Sequence, residues 1–272
     1  QRQDGGKPYE VVSYDFQRPA QNALVELAPE NTFYAVGRAL KIDQVNVRLN
    51  EVEHWRLCNH CHYSENLAKG DVHGACPRWG SPQWADAAQK RQLLRLREVT
   101  ANVRDRDSRI GDETEQREPS FYTRQMLTDI APGSAHFAYR IDDPECPFGF
   151  EYVPQARFVE INFGRHDEQA PALSVAGEGR PRSGFKVCKH CGKVQRRGMK
   201  ANDKHQRFCK LARTGAVEQE NDFLDSLFLY RELSSEARIS WPYFFEAFWA
   251  IIIIFIFSPP PPPPPLSFLI CL

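Results

Sequence analysis

The chain has 272 residues, with 35 Lys and Arg balanced by 35 Asp and Glu. At 42% hydrophobic and 26% charged it has an ordinary globular composition, which excludes a wholly disordered tail, a collagen-like fibre and a polytopic membrane protein. Zero net charge excludes a uniformly basic nucleic-acid coat but leaves room for a local basic patch.

Residues 1–21 form a polar lead-in without the apolar stretch of a secretory leader, and with no initiating Met they read as part of a longer parent. From 22 to 50, short apolar runs (ALVELAP, TFYAVGRALKI, VNVRL) broken by Pro and Gly predict strands and turns. Residues 54–80 hold a first cysteine group. Residues 83–103 predict a helix running into a strand, and 104–118, where charge alternates in sign, predict a solvated loop. Aromatic and β-branched residues over 136–163 predict two or three more strands. A second cysteine group occupies 184–213, and 224–239 predict a strand running into a helix. The fold class expected from this mixture is α+β, a strand-rich module with two zinc-knuckle insertions. Residues 243–272 are an apolar run followed by seven prolines, too short to span a bilayer, and read as an out-of-frame tail.

The second group carries the stronger chemistry. Cys188, Cys191, His205 and Cys209 fall in the pattern C-x2-C-x13-H-x3-C. A tight CxxC turn supplies two thiolates, and a His and a Cys four apart on one face of a helical turn supply two more, completing a tetrahedral Zn2+ site. Gly192 follows where the chain must bend back. His190 reads as a solvent-facing spacer. In the first group Cys58, Cys61 and Cys76 are three ligands, but Trp79 stands where a fourth cysteine is expected. His73 is the local substitute, giving C-x2-C-x11-H-x2-C, so one Zn2+ is expected at the second group and another at the first if His73 completes it. Cysteines paired at this spacing, without a leader, suggest a reducing, cytoplasmic setting.

Between Glu178 and Arg213 twelve basic residues meet only Glu178 and Asp203, a formal charge of +10 that the rest of the chain balances. Clustered Lys and Arg displace condensed counterions on meeting DNA or RNA, which makes Lys186, Lys189, Lys193, Arg196, Arg197, Lys200, Lys204 and Arg207 candidate nucleic-acid contacts. Phe185 and Phe208 lie in the same stretch and are expected to pack behind the metal, or to stack on bases if exposed. No P-loop, G-x-S-x-G or H-E-x-x-H motif occurs, so no catalytic residue is assigned.

In their joint order, WRLCNHCHYSE (55–65), CPRWG (76–80), SRIGDETEQREPSFY (108–122), FGFEYVPQARFVEINFG (148–164), GFKVCKHCGKVQ (184–195) and LFLYRELSSEARISWP (227–242) resemble the C-terminal zinc-binding module of MrfA-like superfamily-2 DNA helicases. A component of the DISARM phage-defence system shares that module. The resemblance covers 22–242 and implies a zinc-stabilised, DNA-binding accessory module of an ATP-dependent helicase acting in DNA repair or phage defence. Its motor would lie in the same parent chain or in a partner subunit, with no membrane involved. Two other classes are open: a scaffold that docks a separate helicase without touching DNA, and a nuclease using the acidic 104–118 loop.

Overall fold

A computed structural model describes residues 13–69, 74–103, 108–109, 121–130, 137–141, 148–196, 198–200, 203–215 and 217–242. The tail, most of the 104–118 loop, His73, Arg197 and Cys146 lie outside the described residues. The chain divides into two compact units, one comprising residues 1–136 and 153–237 and the other 137–152 and 238–272.

In the larger unit the first element is a helix, α1 (Ala20–Glu26), where the sequence suggested a strand. Leu24 and Ala28 recur at the helical i, i+4 spacing and both are buried, a period that the flanking prolines disguise. Asn31 Nδ2 donates to the carbonyls of Val25 (3.1 Å) and Glu26 (2.9 Å), two groups in the last turn, where the helix runs out of its own donors. The hairpin β1 (Thr32–Ala35) and β2 (Arg38–Lys41) follows, then the two-residue β3 (Gln44–Val45).

Next come β4 (Val52–Leu57), β5 (Ser64–Asn66), β6 (Lys90–Arg95), β7 (Val99–Thr100) and β8 (Phe121–Ile130). The predicted helix near residue 83 is only two 3-10 turns, Pro82–Ala85 and Ala87–Gln89. Beyond them lie β10 (Phe148–Arg165), whose first residues pair in the smaller unit with β9 (Phe137–Ile141), and the hairpin β11 (Ala172–Val175) and β12 (Glu178–Pro181). The chain then forms β13 (Phe185–Cys188), β14 (Val194–Gln195), the short helix α2 (Lys210–Thr214) and β15 (Phe223–Pro242).

The main sheet runs β14-β13-β15-β6-β4-β5, with β10 pairing both β15 and β8. β15 and β6 are parallel, with Phe228 opposite Leu93 and Leu229 opposite Leu94. Successive side chains on these central strands enter opposite cores. Leu93, Phe228 and Tyr230 join Trp55, Ile161 and Phe163, whereas Leu94, Leu227 and Leu229 join Leu24, Phe185 and Val187. A strand buried on both faces reads as a continuous apolar run, which explains LFLY at 227–230. The helix expected after Arg231 does not form: β15 continues as a strand to Pro242, and pairing with β10 overrides the helical propensity of RELSSEAR. Asn162, fully buried, anchors α1 by donating to Leu24 O at 2.7 Å. Among the described residues no helix is long and apolar enough to cross a membrane.

In the smaller unit, β9 and residues 148–152 form a hairpin whose cross-strand pairs include Tyr139 opposite Phe150, with ring centroids 4.7 Å apart.

Candidate metal centres

Strand ends and tight turns deliver both cysteine groups. β13 ends on Cys188, and the chain reverses at once: Gly192 N donates to Cys188 O (2.9 Å) and Cys188 N to Lys193 O (3.0 Å). This brings Cys191 beside Cys188 before β14 carries the chain away. His205 and Cys209 return from the following loop. They do not share a helical turn as the spacing predicted, because Cys209 is the residue that starts α2 and His205 lies in the loop before it.

The four ligand atoms all lie within 4.8 Å of one another. Cys188 Sγ is 3.9 Å from Cys209 Sγ, and His205 Nδ1 is 3.9 Å from Cys191 Sγ and 3.7 Å from Cys209 Sγ. Metal–sulfur bonds of about 2.3 Å at tetrahedral angles separate two sulfurs by about 3.8 Å, and a sulfur from a ring nitrogen by about 3.6 Å. The cluster therefore has the edge lengths of a tetrahedral site. A disulfide needs sulfurs about 2.05 Å apart, so these cysteines are thiols or metal ligands.

Charge also favours a cation. The Cys188 hydrogen bond draws the Cys191 thiol down to about 4, and the same pairing, with burial, pushes Cys188 up. Three thiols this close cannot all ionise unless a metal supplies opposing charge.

A residue outside every motif of the sequence supports the fourth ligand. Glu218, thirteen residues beyond His205, accepts a hydrogen bond from His205 Nε2 at 3.3 Å, leaving Nδ1 to face the sulfurs. Lys204 Nζ donates to the same carboxylate at 2.9 Å and, ahead of His205, holds Glu218 below the usual carboxylate range. A carboxylate behind a ligating imidazole fixes its tautomer and raises its basicity. Glu218→Gln is expected to weaken metal binding about 10- to 100-fold with all four ligands intact, measured by competition with a chromogenic chelator. His190, by contrast, turns to Asp222 (Nε2 to Oδ1, 3.0 Å) and takes no part in the cluster.

The first group brings together Cys58, Cys61 and Cys76, with Cys61 Sγ and Cys76 Sγ 3.7 Å apart. β4 delivers Cys58, and the amides of His60 and Cys61 donate to its sulfur at 3.5 and 3.4 Å. Hydrogen bonds from Cys61 and then Cys76 lower the Cys58 pKa strongly, and the two donors are raised in turn. Cys76 opens a turn that closes through Gly80 N to Cys76 O (2.7 Å), and Trp84, fully buried, seals the cluster from behind. Trp79 is 41% exposed and stacks on His60, with ring centroids 6.2 Å apart. Neither His60 nor His62 joins the sulfurs, and His73 lies outside the described residues.

The structure sorts the predicted nucleic-acid contacts. Lys186 pairs with Asp225 (2.9 Å), Lys193 with Asp43, Arg196 with Glu30 (3.7 Å) and Lys204 with Glu218 (2.9 Å). Lys189 Nζ donates to Asn221 O at 2.7 Å. Most of the acids that balance the finger therefore come from elsewhere in the chain, which local composition cannot reveal. Lys200 and Arg207 pair with no carboxylate among the described residues. Phe185 is buried, but Phe208 is 83% exposed beside the ligand Cys209 rather than packed behind it.

Fold and site together define a strand-rich α+β module with two cysteine clusters, each able to hold a metal ion. No family model matches the sequence, and no curated protein or solved structure matches it.

Proposed function

We propose that the chain is a zinc-stabilised nucleic-acid-binding module. A ligand set of three thiolates and one imidazole at tetrahedral spacing suits Zn2+, and four protein ligands leave no open position for a reactive water, so the role is structural. The observation that carries the binding role is Phe208. An aromatic ring 83% exposed, next to a metal ligand and flanked by Arg207 and Lys210 with Arg213 one helical turn on, is a rigid stacking platform inside a basic surface. The Arg207 guanidinium lies 5.9 Å from the ring centre, leaving a face of the ring for a base. The order of motifs supports a place beside an ATP-dependent DNA helicase motor, in the same parent or a partner, in DNA repair or phage defence.

Phe208→Ala is expected to weaken single-stranded oligonucleotide binding about tenfold, since one base–aromatic stack is worth about 1–3 kcal/mol. Fluorescence anisotropy at two salt concentrations measures it, with metal content unchanged as the control. Unchanged affinity removes the reading. The internal pairing of Lys186, Lys193, Arg196 and Lys204 favours a second reading, a scaffold whose charges serve its own fold. That reading gains if the chain captures a helicase subunit yet binds no oligonucleotide.

A further inference from the structure

A second cationic centre lies outside both metal clusters. On β12 and just beyond it, Glu178, Arg180 and Arg182 occupy every second position, the period that places side chains on one side of a strand. They meet Tyr122 and Arg124, two apart on β8. Guanidinium carbons of three arginines surround the Tyr122 ring: Arg180 at 5.0 Å from its centre, Arg124 and Arg182 at 5.3 Å. A cavity of about 380 Å³ opens here, lined by His166, Glu178, Arg180 and Arg182.

Glu178 is the carboxylate of this group, and its oxygens are committed. It pairs with Arg124, accepts from Arg180 Nε at 3.0 Å and from the Tyr122 hydroxyl at 3.2 Å. Among the described residues, three guanidiniums against one carboxylate leave two positive charges in this group. Arg182 is the member left over. Among the described residues it makes no ion pair, and its Nε and Nη1 are buried without a hydrogen-bond partner. The side chain is half-buried, burial first and then Arg180 lower its pKa, and the two covered nitrogens are donors without the acceptor that a buried polar atom requires.

We propose that Arg124, Arg180 and Arg182 around Tyr122 form a binding site for a phosphate group. Guanidinium forks match phosphate oxygens in bidentate geometry, and a phosphate at the cavity would give Arg182 the acceptor it lacks. The aromatic face beneath the arginines fixes their planes before the anion arrives. The hairpin that carries Arg180 is itself held in place: at its turn Ala176 N donates to Cys58 O (2.9 Å) and Gly177 N to Asn59 O (2.8 Å). The first metal knuckle therefore braces this site, as the second carries Phe208. The phosphate can come from a nucleic-acid backbone, which deepens the reading above, or from a free phosphate or phosphomonoester, which does not depend on it.

The test uses the full zinc-loaded chain and two probes, inorganic phosphate and a fluorescent single-stranded oligonucleotide. At constant ionic strength, phosphate is expected to shift the Nε–H resonances of Arg180 and Arg182, and Arg182→Gln to abolish the Arg180 shift. Arg182→Gln is expected to bind the oligonucleotide about tenfold more weakly, with a salt slope smaller by about one ion. Arg180→Gln, a change at an exposed position, serves if the first variant folds poorly. A phosphate shift with unaltered oligonucleotide affinity in both arginine variants supports the site and assigns it to free phosphate. A flat phosphate titration combined with unaltered oligonucleotide affinity in both variants overturns it, whatever Phe208→Ala does to the finger.

Discussion

Cys188→Ser is expected to lower bound metal by one equivalent per chain and to unfold the finger from about residue 196 to 215. Besides a bound metal, what would hold this segment among the described residues is a few polar contacts, such as Gln195 Nε2 to Lys204 O (2.6 Å), Gln206 Nε2 to Gln44 Oε1 (3.0 Å) and the Lys204–Glu218 pair, and very little apolar packing. Its buried described residues are Cys209 and Leu211, which pack with Cys188 and Phe223 in one small cluster, and two of those four are cysteines of the metal cluster. α2 has five residues, far short of the roughly 12–15 an isolated helix needs to persist in water. Structural zinc supplies about 10–16 kcal/mol of apparent folding free energy to finger peptides, more than so small an apolar cluster can replace. The effect should be graded along the chain. Val187 and Val194 belong to the main core with Leu24, Val45 and Leu227, so β13 and β14 should keep amide protection while the distal loop loses it. Elemental analysis and hydrogen exchange measure the two halves of the prediction. Full metal content with unaltered protection across 203–215 would falsify it. Acidification should mimic the variant, because protons compete with the metal for the thiolates and for His205.

How much of this was readable beforehand follows from how local each determinant is. The second cluster was legible because a CxxC turn, a His and a Cys can close a tetrahedron within 22 residues, and spacing alone encodes that. The first was legible only as three sulfurs, since Trp79 breaks its pattern. Glu218 was invisible: a carboxylate supporting a ligand carries no spacing rule, only a position after folding. The basic stretch was visible as a count, but its partners Asp43 and Glu30 lie 150 or more residues away and Asp225 on another strand, so composition overstated the free charge. Secondary structure failed where tertiary pairing decided it. RELSSEAR has helical residues but is drawn into β15 by β10, and the two-faced burial of LFLY shows only once β6 is known to lie alongside. ALVELAP failed for the opposite reason, a real i, i+4 pattern too short to stand out between prolines.

Gly192→Ala is expected to destabilise the chain by at least about 4 kcal/mol while leaving the four ligands chemically intact. Gly192 has φ +72°, where a side chain costs about 1–2 kcal/mol by itself. The larger cost is steric: an added Cβ would collide with the backbone oxygen of Val45 and lie 3.1 Å from its carbonyl carbon. Those are main-chain atoms with no rotamer to swing aside, so β3 must separate from the knuckle. Several bonds depend on that contact. Val45 N donates to Gly192 O at 2.9 Å, Val194 N to Asp43 O at 2.9 Å, and Gln44 Nε2 to Cys191 O at 2.7 Å. Lys193 and Asp43 pair in the same seam, and Val45 is 1% exposed, so separation also uncovers core. Each lost hydrogen bond is worth about 1 kcal/mol, and leaving its partners buried and unpaired adds to that. Gly198→Ala is the matched control: φ is +73° there, but nothing lies within 4 Å of an added Cβ, so only the backbone term should appear. Urea unfolding of the two variants separates strain from collision. Equal destabilisation in both would mean that the contact between β3 and the knuckle contributes nothing, and that the metal alone positions the finger.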